Sequence, residues 1–206
     1  MTLPAEATGA APGRGRLTGR RVLVVGAGTR PSPEPDPPLG NGRAISVLAA
    51  REGAAVACAD RDAGAAEATA AALEALEPGA AIVFISSAAS SRAATGIPAY
   101  DASKAALPGI CRQVAREGMA RGIRANLVVP SLVDTPLGRE ASRLNPGRAA
   151  RRLPFGRQAT AWEVAYATVW LLSGESSYVN AHPLVLDGGA TSFGWPPEPG
   201  RIPAIP

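Results

Sequence analysis

Apolar residues gather along this chain in short unbroken runs, each closed by glycine, serine, proline or aspartate. Val22, Leu23, Val24 and Val25 end at Gly26, Ala27 and Gly28; residues 54–59 end at Asp60; residues 80–85 end at Ser86 and Ser87. Two further runs, 125–129 and 183–186, end at Pro130 and at Asp187, Gly188 and Gly189. Runs this short, without polar alternation, predict strands buried on both faces. The intervening text predicts helices. Residues 42–52 stop at Gly53, residues 63–76 are rich in Ala and Glu before Pro78 and Gly79, and residues 99–119 form a long helix after the third strand. Trp162, Ala165, Val169 and Leu172 recur at helical spacing before the last strand, so one apolar stripe faces the sheet.

Strands alternating with helices predict an α/β fold, a Rossmann-like doubly wound parallel sheet of five strands. One domain over 18–192 is expected, with residues 1–17 as a disordered lead-in and 193–206 as a Pro-rich tail. Residues 139–157 read as a long, Arg-rich connection without periodicity, outside the core.

Composition narrows the function. The 206 residues are 46% hydrophobic and 18% charged, as expected of one globular domain. No apolar run of membrane-spanning length occurs, and the first twenty residues carry Arg14, Arg16 and Arg20 without a secretory apolar stretch. The expectation is a cytoplasmic protein without a membrane partner. Two cysteines, Cys58 and Cys111, and one histidine, His182, exclude a disulfide framework and a His/Cys zinc site, so no metal is expected. A net charge of +4 is spread among scattered arginines, and 4% aromatics are too few for a base-stacking platform, which argues against nucleic acid. Of the 21 basic residues only Lys104 is a lysine. An ammonium is a compact charge whose pKa can shift, which matters more to chemistry than to a solvated surface.

The first strand runs into Gly26 and Gly28, and after residues 30–39 come Gly40, Asn41, Gly42 and a helix. Glycines at a strand-to-helix turn let backbone approach a pyrophosphate, whose charge the helix N-terminus stabilises. Asp60, at the tip of the second strand, can accept hydrogen bonds from an adenosine ribose and repel a 2′-phosphate, which favours NAD; Arg61 beside it could pair with the phosphate of NADP. Tyr100 and Lys104 lie four apart near the start of the long helix and share a face. Ser87 precedes them at a strand end, where the sites of parallel sheets open. A neighbouring ammonium favours the phenolate form of a tyrosine, and a serine hydroxyl can hydrogen-bond a reacting oxygen.

With these residues the sequence resembles the short-chain dehydrogenase/reductase family from Leu17 to about Phe193. Gly26, Gly28, Gly40 and Gly42 match its glycine-rich turn, and Ser87, Tyr100 and Lys104 match its serine and Tyr-x-x-x-Lys. The segment Pro130, Ser131, Leu132, Val133, Asp134, Thr135 matches its Pro-Gly-x-Val-x-Thr, with Ser131 replacing glycine, and Asp187, Gly188, Gly189 match its closing strand. The resemblance implies NAD(P)-dependent oxidation of an alcohol or reduction of a ketone. Tyr100 would be the general acid/base, Lys104 would bind the nicotinamide ribose and assist Tyr100, and Ser87 would polarise the carbonyl. Val133 and Thr135 would contact nicotinamide, and association into a homo-oligomer would be expected.

Three features depart from the family pattern. Residues 30–39, with five prolines, Glu34 and Asp36, interrupt the glycine turn. Pro108 falls inside the catalytic helix, where it removes a hydrogen bond to the Lys104 carbonyl and should kink the helix. At ~30 residues per strand–helix–strand unit, roughly 50 to 60 residues are missing between Asp60 and the serine-bearing strand. With them go the Asn-Asn-Ala-Gly segment and the tetrad asparagine. The expected consequence is direct pairing of the first and third strands, giving order 2-1-3-4-5, with helix 63–76 on the face opposite helix 42–52. An alternative reading is a non-catalytic dinucleotide-binding or interaction remnant.

Overall fold

A computed structural model describes residues 3–27, 32–59, 79–92, 95–145 and 153–192. The apolar runs form β1 (Arg21–Val25), β2 (Ala55–Ala59), β3 (Ala81–Ile85), β4 (Arg124–Pro130) and β7 (Pro183–Leu186), with two-residue strands β5 (Val133–Asp134) and β6 (Ala159–Thr160) between. The helices are α1 (Ala5–Thr8), α2 (Asn41–Arg51), α3 (Pro98–Gly118), α4 (Pro136–Leu144) and α5 (Ala161–Leu172). Every strand pairing among the described residues is parallel.

Period-two alternation along β4 divides its side chains between two helical layers. Ala125, Leu127 and Val129 pack with Cys111 and Ala115 of α3 on one face, while Val128 packs with Val164 and Leu171 of α5 on the other. α2 shares the α5 face: Ala44, Ile45, Leu48 and Ala49 meet Val24 of β1 and Ala161, Ala165 and Val169 of α5 in one cluster. α5 begins with a capping box, in which the Thr160 hydroxyl accepts from Glu163 N–H and the Glu163 carboxylate accepts from Thr160 N–H.

The expected pairing of the first and third strands is not formed. β1 pairs with β2 in one sheet, and β3, β4 and β7 form another. The two half-sheets are joined through their helices instead: Gly42 holds α2 against the end of β1, α5 contacts β3 and β4, and α2 packs on α5. Ile85 of β3 still packs on the cluster that holds Val24, so one apolar layer supports both half-sheets. On the other face Leu23 and Val25 are exposed. The position of helix 63–76 relative to α2 lies outside the described residues.

Residues 3–17 correct a second expectation, because they are not a free lead-in. Ala7, Ala11 and Leu17 are buried. Arg51 donates to the carbonyls of Gly9 and Ala11 at 2.6 and 3.1 Å, and the Thr160 hydroxyl donates to Ala7 at 2.7 Å. Glu52, fully buried, accepts from the backbone N–H groups of Arg14 and Arg16 and from the Arg16 side chain at 2.6 Å. Alanine-rich text hid this packing, because small residues leave little periodic signal. A third correction concerns residues 139–157, whose first part continues α4 to Leu144. Finally, α3 runs on through Pro108 to Gly118. The Lys104 carbonyl, which proline deprives of its helical donor, lies 3.4 Å from the Ser86 hydroxyl.

Candidate active site

At the nucleotide end of the site, β1 turns at Gly26, whose φ of +77° favours glycine. Gly40 flanks the N-terminus of α2, where no side chain provides a cap. A Cβ on Gly42 would sit 1.8 Å from the Gly26 carbonyl oxygen, so the first turn of α2 lies directly on the strand's turn. The Oδ1 atom of Asn41 is buried without a hydrogen-bond partner. A backbone packed closer than any side chain permits and an orphaned amide oxygen at a helix N-terminus suit a polyol phosphate such as a dinucleotide. Gly28, Asp60 and Arg61 lie outside the described residues.

Ser87 follows β3, and Tyr100 and Lys104 lie in the first two turns of α3. The Lys104 side chain is more than half buried and donates to the Ile85 carbonyl at the end of β3 at 2.9 Å. Burial pushes its ammonium below its ordinary pKa. The Nζ atom lies 5.6 Å from the centre of the Tyr100 ring. Tyr100 is 38% exposed, with one side open to incoming molecules. Ser87 stands two residues beyond Ile85, and its hydroxyl accepts from Ala89 N–H at 3.2 Å, which fixes the turn after β3. Lys104 thus joins the end of β3 to α3.

The third wall follows β4. Val133 and Thr135 are buried, and the Thr135 hydroxyl caps α4 by accepting from Gly138 N–H at 3.0 Å. One turn into α4, Arg139 is gripped by two carboxylates. Asp134 accepts from Nε and Nη2 at 2.7 and 2.9 Å, and Glu34, from the inserted residues 30–39, accepts from Nη1. These hydrogen bonds hold the Arg139 guanidinium above its ordinary pKa. Glu34, Asp134, Arg139, Arg143 and Arg157 line a cavity of about 630 Å³. A second cavity, about 450 Å³, opens between Ser131, Phe155 and the Asp187–Gly189 turn. Neither is lined by Ser87, Tyr100 or Lys104.

The family model described as enoyl-(acyl carrier protein) reductase matches residues 63–191. The chain belongs to the short-chain dehydrogenase/reductase family. A short-chain dehydrogenase of Aspergillus ruber is 40% identical over 114 residues, which is 54% of this chain and 42% of the relative. A 3-oxoacyl-[acyl-carrier-protein] reductase of Rattus norvegicus is 35% identical over 114 residues, 55% of this chain and 46% of the relative. Across the curated relatives it matches, the chain spans less than half of their length. Among solved structures, a Beutenbergia cavernae protein assigned as an NAD(P)-dependent gluconate 5-dehydrogenase superposes with a TM-score of 0.70 at 25% identity. The match covers 86% of this chain and 98% of that one, whose crystal holds NADP at low occupancy. The chain therefore has the Rossmann-like fold of this oxidoreductase family.

Sequence reasoning missed the Glu34–Arg139–Asp134 group and the Ser86 contact beneath Lys104. Spacing could not reveal the first, because Glu34 and Arg139 are 105 residues apart and neither belongs to a motif. The loss of a helical donor at Pro108 was the available clue to the second. Among the described residues no helix is long and apolar enough to cross a membrane, and no group of His, Cys, Asp and Glu could hold a metal ion.

Proposed function

We propose that the chain is an NAD(P)-dependent alcohol dehydrogenase or ketoreductase acting on a small hydroxyl- or keto-bearing molecule. The observation that carries this reading is the buried Lys104 ammonium, anchored on Ile85 and set beside the open Tyr100 ring. A bound nicotinamide dinucleotide would supply the hydride donor or acceptor. The chain's own residues handle the proton and the substrate oxygen. Tyr100 gives its phenolic proton to a carbonyl oxygen being reduced, or takes one from an alcohol being oxidised. Lys104 stabilises the phenolate left behind, and its depressed pKa makes proton exchange at this position easier. Ser87 donates its hydroxyl to the same substrate oxygen and polarises it.

Gly26, Gly28, Gly40, Asn41 and Gly42 would hold the pyrophosphate, Tyr100 and Lys104 the nicotinamide ribose, and Val133 and Thr135 the nicotinamide. Asp60 favours NAD over NADP, with Arg61 as the opposing feature. The protein would work in the cytoplasm, as a homo-oligomer, without nucleic-acid or membrane partners.

The test is turnover and binding together. Tyr100→Phe should lose about 10²–10⁴ in rate while keeping NADH affinity. A wild-type chain that binds NADH but turns over no ketone or alcohol would refute catalysis. That outcome would support the second reading, a dinucleotide-binding remnant, which the break between β1 and β3 favours.

A further inference from the structure

Glu34, in the inserted residues 30–39 that precede Gly40 in the sequence, accepts a hydrogen bond from Arg139 of α4. Arg139, which receives Glu34, is already served by Asp134 through Nε and Nη2. Only its Nη1 edge faces the insertion. Three guanidinium groups, of Arg139, Arg143 and Arg157, line this cavity with the carboxylates of Glu34 and Asp134, while Arg157 is also paired to Glu163 at 2.7 Å. If Glu34 leaves, the cavity gains net positive charge and Arg139 presents an unfilled donor edge. The Glu34–Arg139 pair is partly solvated, with side chains 28% and 38% exposed, so it can exchange partners. Five prolines stiffen the insertion, so Glu34 would move with its neighbours rather than by a side-chain flip alone.

We propose that Arg139 is an anion-binding residue of this site, and that Glu34 is an internal ligand which a diphosphate displaces from it. This rests on the dinucleotide reading above. The cofactor's pyrophosphate is the natural competitor, because Glu34, six residues before Gly40, reaches Arg139, four residues beyond Thr135, and both segments are expected to hold a dinucleotide. Phosphate oxygens and a carboxylate make the same charge-assisted hydrogen bonds to a guanidinium edge, so one replaces the other without leaving Arg139 unpaired. The inserted loop is then a built-in competitor that lowers apparent cofactor affinity by the fraction of molecules in which it is clasped.

The two partners should respond with opposite signs. Glu34→Gln removes the competitor and should tighten NADH binding by about threefold or more. Arg139→Gln breaks the same ion pair but removes the receptor, so it should weaken NADH binding; Arg139→Lys, which keeps the charge, should bind better than Arg139→Gln and serves if the latter does not fold. A clasp with a purely structural role would shift both variants in the same direction, and that result would overturn the proposal. Inorganic pyrophosphate, titrated calorimetrically into the wild type and Glu34→Gln, separates the anion site from the dinucleotide reading. Pyrophosphate bound more tightly by Glu34→Gln, with no NADH binding by either, would support the anion site while sinking the dinucleotide reading. Failure of Glu34→Gln to bind pyrophosphate more tightly than the wild type would overturn the proposal whatever NADH does.

Discussion

Gly42 and Gly109 are both helical glycines, yet the structure predicts opposite effects for the same substitution. In Gly42→Ala the new methyl carbon would lie 1.8 Å from the Gly26 carbonyl oxygen and 2.8 Å from its carbon. Backbone stands in the way, so no side-chain rotation relieves the overlap, and α2 must retreat from β1 by more than about 1 Å. That retreat opens contacts of Val24 with Ile45 and Leu48, all buried in one cluster. The expected cost is at or above the upper end of the usual overpacking range, about 3 kcal/mol. It should also move the N–H groups of the first turn out of reach of a pyrophosphate, so NADH affinity should fall with stability. Gly109 lies inside α3 with nothing within 4 Å of a Cβ. Gly109→Ala should therefore stabilise by roughly 0.5–1 kcal/mol through helix propensity alone. Urea denaturation of the wild type and both variants, with NADH titration of each, reads these effects. A Gly42→Ala protein as stable as the wild type would refute the close-packed turn, and with it the argument that the first turn of α2 is built to receive a phosphate.

Further outcomes concern buried ionic and helical features. Burial pushes the Glu52 carboxyl up, but the Arg16 side chain, the N–H groups of Arg14 and Arg16, and the Arg16 charge together hold it at about 2, below its ordinary 4.5. A depressed carboxylate pKa stabilises the fold above the unfolded value, so this contribution, at most about 3 kcal/mol, is present above pH 4.5 and is lost as pH falls toward 2. Glu52→Gln should be less stable at pH 7 and show a flatter decline in denaturation midpoint between pH 5 and 2; parallel curves would exclude the assignment. Pro108→Ala should restore an N–H donor to the Lys104 carbonyl and stabilise the protein by about 1–2 kcal/mol, after allowance for greater unfolded-state freedom. A destabilised Pro108→Ala variant in chemical denaturation would mean that α3 and Ser86 have adapted to the proline.

The sequence alone was enough to locate the five longer strands, because continuous apolar runs ending in glycine, serine, proline or aspartate have few other uses in a parallel sheet. It also singled out Lys104, the one ammonium among arginines, and its four-residue spacing from Tyr100 put both on one helical face. Local chemistry of this kind is written in adjacent residues. Strand order was not legible, because β1–β2 and β3–β4–β7 meet through the packing of α2 on α5, a contact between segments more than a hundred residues apart. The ordered N-terminal segment depends on Glu52 and Arg51, most of whose partners are backbone groups that carry no residue identity and so leave no trace in a sequence pattern. The clasp between Glu34 and Arg139 likewise required the fold, since charge attraction is nonspecific along a chain and becomes specific only when two side chains are brought to one place. The main strands and the Tyr100–Lys104 juxtaposition were therefore legible from spacing, while strand order and the Glu34–Arg139 contact arose from long-range packing.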